Sequence, residues 1–401
     1  MYAVDSRYAW RRLAASATLG MLGSFSMWSA VVVFPALQAE FGATRAAVSF
    51  SYTTTMLGFG AGAILFGRLI DARGAFFTMI LSCLLLVSGC VAAAFSPSLW
   101  VFSTVHGVLI GFGSAAAFIP LVADISHWFL KRRGLAMAIC ASGNYVGGAL
   151  WPKIVDTLTS AYDWRTAYLV VAVICLLGML PCCLVLRPRA PDHAVGSGPA
   201  AARYTSRALG LSPNALQAWL AIAGVGCCVA MAMPQVHIVA YCVDLGYSTA
   251  RGSDMLSIMT ACGILSRVGS GWIADRVGGI KTLLLGSTLQ AMALLAYLVS
   301  DTLLSIYLVS VLFGLVQGGI VPSYGVIVRE YFPPNEAGTR MGLAIFATIL
   351  GMALGDWMGG FLFDLTGSYR AAFINGFAWN VLNGVVIWWL LVRQGRRTAY
   401  A

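Results

Sequence analysis

Charged residues fall in short clusters along this chain, and long apolar stretches run between the clusters. "LLSIYLVSVLFGLVQGGIV", Leu303 to Val321, contains no charge at all. About 20 such residues, at 1.5 Å of rise each, cross a hydrocarbon core of about 30 Å as one α-helix. The pattern predicts twelve such helices, near 13–36, 47–69, 77–96, 98–122, 134–158, 164–186, 216–243, 252–275, 280–299, 302–328, 340–364 and 370–393. The period-two alternation of a membrane barrel does not occur. The expected class is an all-α membrane protein with 12 transmembrane helices. "MYAVDSRYAWRRLAASATLG" begins like a signal peptide, but its apolar run continues through "MLGSFSMWSAVVVFPALQ". That is too long for a signal core, so it reads as an uncleaved first span.

One long polar stretch interrupts the pattern. "RPRAPDHAVGSGPAAARYTSRALGLSPN" is rich in Pro, Gly, Ser and Arg and reads as a flexible linker. It divides a six-helix bundle at 1–186 from another at 215–401, with the linker at 187–214. The halves repeat. "GRLIDARG" at Gly67 returns as "GWIADRVG" at Gly271, "RRGLA" at Arg132 as "RMGLA" at Arg340, and "WRTAY" at Trp164 as "YRAAF" at Tyr369. All three matches share a spacing of a little over 200 residues and the same place in the span order. The expected architecture is therefore two six-helix pseudo-repeats.

Composition agrees. The 401 residues are 59% hydrophobic and 10% charged, against about 25% charged in soluble proteins. The net charge of +10 does not point to nucleic acid, because of where the charges lie. Arg45, Lys153, Arg165, Arg251 and Arg370 sit at one set of helix ends, Arg267 sits within a span, and all other Lys and Arg fall on the opposite side. That is the positive-inside bias, with both termini cytoplasmic. The basic balance reports topology in a cytoplasmic (inner) membrane, with the lipid bilayer as partner and no nucleic acid. The cysteines lie almost wholly inside spans without a CxxC and read as small buried residues.

Arg267 is the exception to the apolar pattern. "CGILSRVGSG" surrounds it, and the nearest charge, Asp275, is about 12 Å of helix away. A mid-membrane arginine costs roughly 2.5–3.5 kcal/mol on insertion scales. Aligning Gly67 with Gly271 puts Ala63 opposite it, so the repeat does not require an arginine there. Either it forms a permanent ion pair with Asp124, Asp156 or Asp356, or its planar fork of donors receives a ligand carboxylate.

The duplicated G-x-x-x-D-x-x-G, Gly67, Asp71 and Gly74 followed by Gly271, Asp275 and Gly278, resembles the loop signature of the major facilitator superfamily. The layout of parallel six-helix repeats is that of its transporters. The glycines suit close helix approach and a tight turn, and the carboxylates suit a helix cap or an Arg pair at a gate. The first copy departs from the pattern at Ala75, where a basic residue is usual. "FIPLVADISHWFLKRRGLA" resembles spans 4 and 5 of monocarboxylate transporters. "MPQVHIVAYCVDLGYS" and "GILSRVGSGWIADRVGG" resemble spans 7 and 8 of a bacterial branch that includes the oxalate–formate exchangers. The resemblance implies that Arg267 binds the substrate carboxylate. It also implies two differences: the span 11 lysine of oxalate–formate exchangers is missing, and so are the span 1 lysine and the span 8 aspartate of animal relatives. One central cation favours a monoanion over a dianion.

Further candidates for the substrate site are His237 and Gln235 in span 7, Phe118 in span 4, Asn144 and Tyr145 in span 5, Tyr324 in span 10 and Trp28 in span 1. Phe118 matches a family aromatic. His237 suits substrate binding, a coupling proton or simple packing, and His106 reads as packing. "GFGSAA" at Gly111 fits a dinucleotide pattern but lies inside an apolar span with no strand before it. No metal-spaced cluster, cofactor motif, Walker motif or nucleophile elbow is present, so no metal, cofactor or enzyme activity is expected. The expected function is secondary transport of a small organic anion, a monocarboxylate, with a proton, by a monomer. Organic-anion exchange, efflux of hydrophobic or weakly acidic compounds, and a non-transporting sensor on the same scaffold remain as alternatives.

Overall fold

The computed structural model describes residues 4–129, 133–188 and 209–398. Among them are twelve long helices and no strand. They are α1 (Arg7–Phe41), α2 (Arg45–Arg73), α3 (Ala75–Ala94), α4 (Leu99–Ile125), α5 (Arg133–Ala161) and α6 (Trp164–Val185). Then come α7 (Pro213–Asp244), α8 (Thr249–Val277), α9 (Gly279–Leu298), α10 (Leu303–Tyr331), α11 (Pro334–Thr366) and α12 (Tyr369–Thr398). Eleven are long and apolar enough to cross a membrane by length and composition. The remaining helix, α5, has the length, but Ser142, Asn144 and several glycines dilute its apolar run.

Helix starts follow the local chemistry. Thr44 accepts from the Ala47 N–H at 3.2 Å, and Asp163 from the Thr166 N–H at 2.7 Å. Thr302 and Ser305 form a reciprocal capping box before α10. Helix α2 ends at Gly74 (φ 84°) and α8 at Gly278 (φ 86°). Both repeat motifs therefore end on a backbone conformation that only glycine adopts cheaply.

The chain forms two compact units, Met1–Gly196 with Val239–Ser257, and Ser197–Ile238 with Ile258–Ala401. In the first, α1 packs on α5, α3 on α6 and α2 on α4. The α2–α4 crossing is backbone on backbone: a Cβ on Gly58 would collide with the Gly107 carbonyl, and one on Gly107 would lie 2.8 Å from that of Thr54. Small residues are what allow such an approach. An aromatic cluster of Phe25, Phe102, Trp164 and Tyr168 fills the core, and His106 is hydrogen-bonded in it to Thr55 (2.7 Å) and Tyr168 (2.9 Å). The ends of α7 and α8 belong to this unit through the ion pairs Arg45–Asp244 (2.5 Å) and Lys153–Asp254 (2.6 Å).

In the second unit, α9 packs on α12 and α10, and α11 on α12 and α10. Its α8–α10 crossing repeats the first unit's device, since Cβ atoms on Gly314 and Gly318 would strike the backbone of Met259 and Gly263. Leu84 and Leu177 on the first unit, and Leu304, Leu308 and Val385 on the second, are exposed. An apolar exterior of this kind suits lipid.

Candidate functional site

Arg267 lies in the interior of α8, roughly 15 Å of helix from its end at Val277. It is half-buried, and its Nε donates to the carbonyl oxygen of Gly318 at 3.4 Å. That carbonyl is available for a local reason. Helix α10 is interrupted, with one segment ending at Gln317 and the next beginning at Ile320. Four residues after Gly318 stands Pro322, which has no N–H to close the helical hydrogen bond. The proline and the glycine pair thus create a polar break in an apolar helix, and the arginine meets it. Ser266 ties the same point down by accepting from the Gly319 N–H at 3.2 Å.

The carboxylates expected as alternative partners of Arg267 each have neighbours of their own. Asp124 takes a bidentate pair from Arg12, at 2.8 Å from Nε and 2.9 Å from Nη2. Asp156 lies beside Thr249 and Lys153. Asp356 is fully buried and faces His237.

Gln235 joins α7 to α10, its Nε2 donating to Gln317 Oε1 at 2.7 Å. Gln317, the residue before the break, is fully buried, and its own Nε2 has no hydrogen-bond partner among the described residues. His237 is buried between α7, α11 and α12, 3.0 Å from the Asp356 carbonyl oxygen and 3.5 Å from the Tyr369 hydroxyl. Tyr324, in α10, is hydrogen-bonded to α12. It is fully buried, and its hydroxyl donates to Asn383 at 3.3 Å, while Asn383 donates to Ser287 at 2.7 Å.

Phe118, Trp28, Asn144 and Tyr145 belong to the first unit. Phe118 marks the break of α4, leaving helical geometry (φ −122°, ψ −93°) just ahead of Pro120, and its ring lies 6.5 Å from Phe59. The interruption of α4 and that of α10 stand at matching places in the two repeats. Trp28 is buried, and its Nε1 has no hydrogen-bond partner among the described residues. Asn144 is buried with its Nδ2 3.5 Å from the Met27 sulfur, and Tyr145 is half-buried beside it in sequence. A cavity of about 330 Å³ opens between α1 and α5, lined by Thr18, Met21, Ser142 and Gly143 among others.

The gating motif departs from expectation. Gly67 and Gly271 face open space, with nothing within 4 Å of an added Cβ, so no close helix approach occurs there. Asp275 is exposed. The cap on the following helix comes instead from Glu330 of α10, whose carboxylate accepts from the Gly279 N–H at 3.1 Å and 3.2 Å. The side chain of Asp71, the residues Lys131 and Arg132, and most of the linker lie outside the described residues.

Gln317, Pro322 and Glu330 are not among the residues that the sequence pattern singled out. A signal for Pro322 was present, since "FIPL" at Phe118 and "IVPS" at Ile320 put a proline inside corresponding spans of both halves. Gly/Pro-interrupted segments at corresponding positions point to the binding site of repeat-built transporters.

Two repeats of six apolar helices, with paired helix breaks and an arginine deep inside α8, define a polytopic helical transporter. The chain belongs to the Major Facilitator Superfamily, whose family model matches residues 17–306 and 270–400. It is a multi-pass membrane protein and not an enzyme. It is similar to Monocarboxylate transporter 13 of Rattus norvegicus, 28% identical over 71% of this chain and 66% of the relative. The bovine (Bos taurus) protein of that name is 30% identical over the same shares. The Fujikurins efflux protein of Gibberella fujikuroi is 30% identical over 71% of this chain and 60% of the relative. The matched length is thus 60–66% of each of these relatives, less than two thirds.

Proposed function

We propose that this protein carries small monocarboxylates, each with a proton, across the cytoplasmic membrane as a monomer with both termini inside. Arg267 is the carboxylate receptor, and transport follows alternating access. The observation that carries the reading is the position of Arg267: inside an apolar helix, against a helix break, in a chain similar to monocarboxylate transporters. A guanidinium suits a carboxylate because two parallel N–H donors match its two oxygens. The second cation that a dicarboxylate would need is not found in the interior of α11.

Reconstituted protein tests this with labelled C2–C5 carboxylates, with and without an inward acid gradient. Gradient-driven accumulation of at least one monocarboxylate is the expected result. Uptake that responds to internal anion and ignores the gradient would replace symport by exchange. The similarity to the Fujikurins efflux protein favours a second reading, efflux of hydrophobic weak acids. Indifference to every small carboxylate, together with export of such compounds, would select it.

A further inference from the structure

Away from the helix ends, the described interior of α7–α12 holds three side chains that are charged or readily protonated near neutral pH: Arg267, His237 and Asp356. His237 and Asp356 are 1% and 0% exposed. The His237 Nε2 lies 3.0 Å from the Asp356 backbone carbonyl and 3.8 Å from its carboxylate Oδ1. Both oxygens accept, so Nε2 carries the hydrogen. In the neutral ring, Nδ1 is then the lone pair, and it faces the Tyr369 hydroxyl at 3.5 Å. Gly359 of α11 makes this arrangement possible, because a Cβ there would collide with the imidazole.

From this geometry we infer that His237, Asp356 and Tyr369 form the binding site of the coupled proton, which is taken up at Nδ1 of His237. This rests on the proton-coupled reading above and names its site. A tyrosine hydroxyl donates to a bare Nδ1 and accepts from a protonated one, so loading needs only a hydroxyl rotation. The added charge faces the Asp356 carboxylate. Among the described residues, the titratable groups against the ring include Asp356 from α11 and Tyr369 from α12, and Tyr241 stands one turn along α7 itself.

A charge count links the proton to the substrate. With Asp356 counted as a carboxylate, Arg267 and Asp356 sum to zero in the empty interior. A monoanion alone makes it −1, a proton alone makes it +1, and both together restore zero. Closing a dry interior over a net charge is costly. The empty and doubly loaded forms are therefore the ones that close, which couples one proton to one monoanion.

The test combines two measurements on the full-length protein in lipid. Nitrogen-15 NMR of labelled histidine, with the His237 signal identified by its loss in His237→Gln, should show Nδ1 gaining a proton as the pH is lowered from 8 to 5. Asp356→Asn should shift that titration. In proteoliposomes with L-lactate as probe, His237→Gln and Asp356→Asn should each lose gradient-driven accumulation at least tenfold, and His237→Gln should lose lactate counterflow with it, because its lactate-loaded interior carries −1 and does not close. Should either variant fail to fold, Tyr369→Phe removes one hydroxyl and should displace the His237 titration and the pH profile of uptake together. A His237 ring that stays neutral over the whole range overturns the assignment, as does His237→Gln with wild-type accumulation. If the unmodified protein moves lactate with no accompanying proton while His237 titrates, the symport reading fails instead.

Discussion

The Nε of Arg267 and the carbonyl oxygen of Gly318 stand 3.4 Å apart, and Pro322 is the reason that carbonyl can accept. A cation in one helix is held at the polar break of another. The contact engages one edge of the guanidinium through Nε. The fork geometry then decides what else the group recognises.

Arg267→Lys should fail nearly as badly as Arg267→Gln, because an ammonium keeps the charge but loses the fork. A charge-assisted hydrogen bond contributes roughly 1.5–3 kcal/mol, so uptake at subsaturating substrate should fall at least about tenfold in both. Both variants should still insert. Wild-type uptake in either one would remove Arg267 from the site.

Pro322→Ala restores an N–H four residues after Gly318 and lets α10 close its own hydrogen bond. The competition for the Gly318 carbonyl should loosen Arg267. We expect higher thermal stability in detergent, with weaker substrate binding. Binding unchanged or tighter in a stabilised Pro322→Ala would show that the break does not position the arginine.

A dicarboxylate should compete poorly against a labelled monocarboxylate at neutral pH and better in acid, as its singly protonated form becomes available. The second carboxylate would otherwise be buried without a cation, at a cost of several kcal/mol. Competition by oxalate and malonate against pyruvate reads this directly. Tighter binding of either dianion at neutral pH would mean that hydrogen-bond donors hold the second carboxylate.

Asp124→Asn should destabilise the first unit. Arg12 is 1% exposed, pairs with both Asp124 oxygens, donates to the Leu186 and Pro188 carbonyls at 3.1 Å and 3.0 Å, and lies 4.7 Å from the Trp128 ring centroid. Breaking one side of a buried pair costs about 3–5 kcal/mol. The melting temperature should drop sharply, and joint replacement with Arg12→Met and Asp124→Leu should recover part of it. A single Asp124→Asn with an unchanged melting temperature contradicts the pairing.

The twelve helices were legible because a bilayer-crossing helix leaves a local record, about 20 apolar residues between polar clusters. The turn glycines Gly74 and Gly278 were legible for the same reason, since a positive φ is a local demand. Span boundaries were less so. Helix α8 begins at Thr249, ahead of Arg251 and of the predicted start, and Asp254 in its second turn meets Lys153 at 2.6 Å. Hydropathy sees the charges but not the partners that let a helix run on past an apolar segment.

Sequence by itself determined the fold class, the repeat, and the presence of one arginine too deep for its surroundings, all of which are properties of residues close together in the chain. Tertiary structure decided which groups those residues meet. It set Arg267 against Gly318, His237 against Asp356 and Tyr369, and Tyr324 toward Asn383. It also gave the cap of α9 to Glu330 while Asp275 stayed exposed. In an apolar helix bundle a polar side chain takes its partner from whichever helix crosses at its depth, and that crossing is fixed by where glycines and prolines let backbones approach or break, at distances in sequence that no local pattern records.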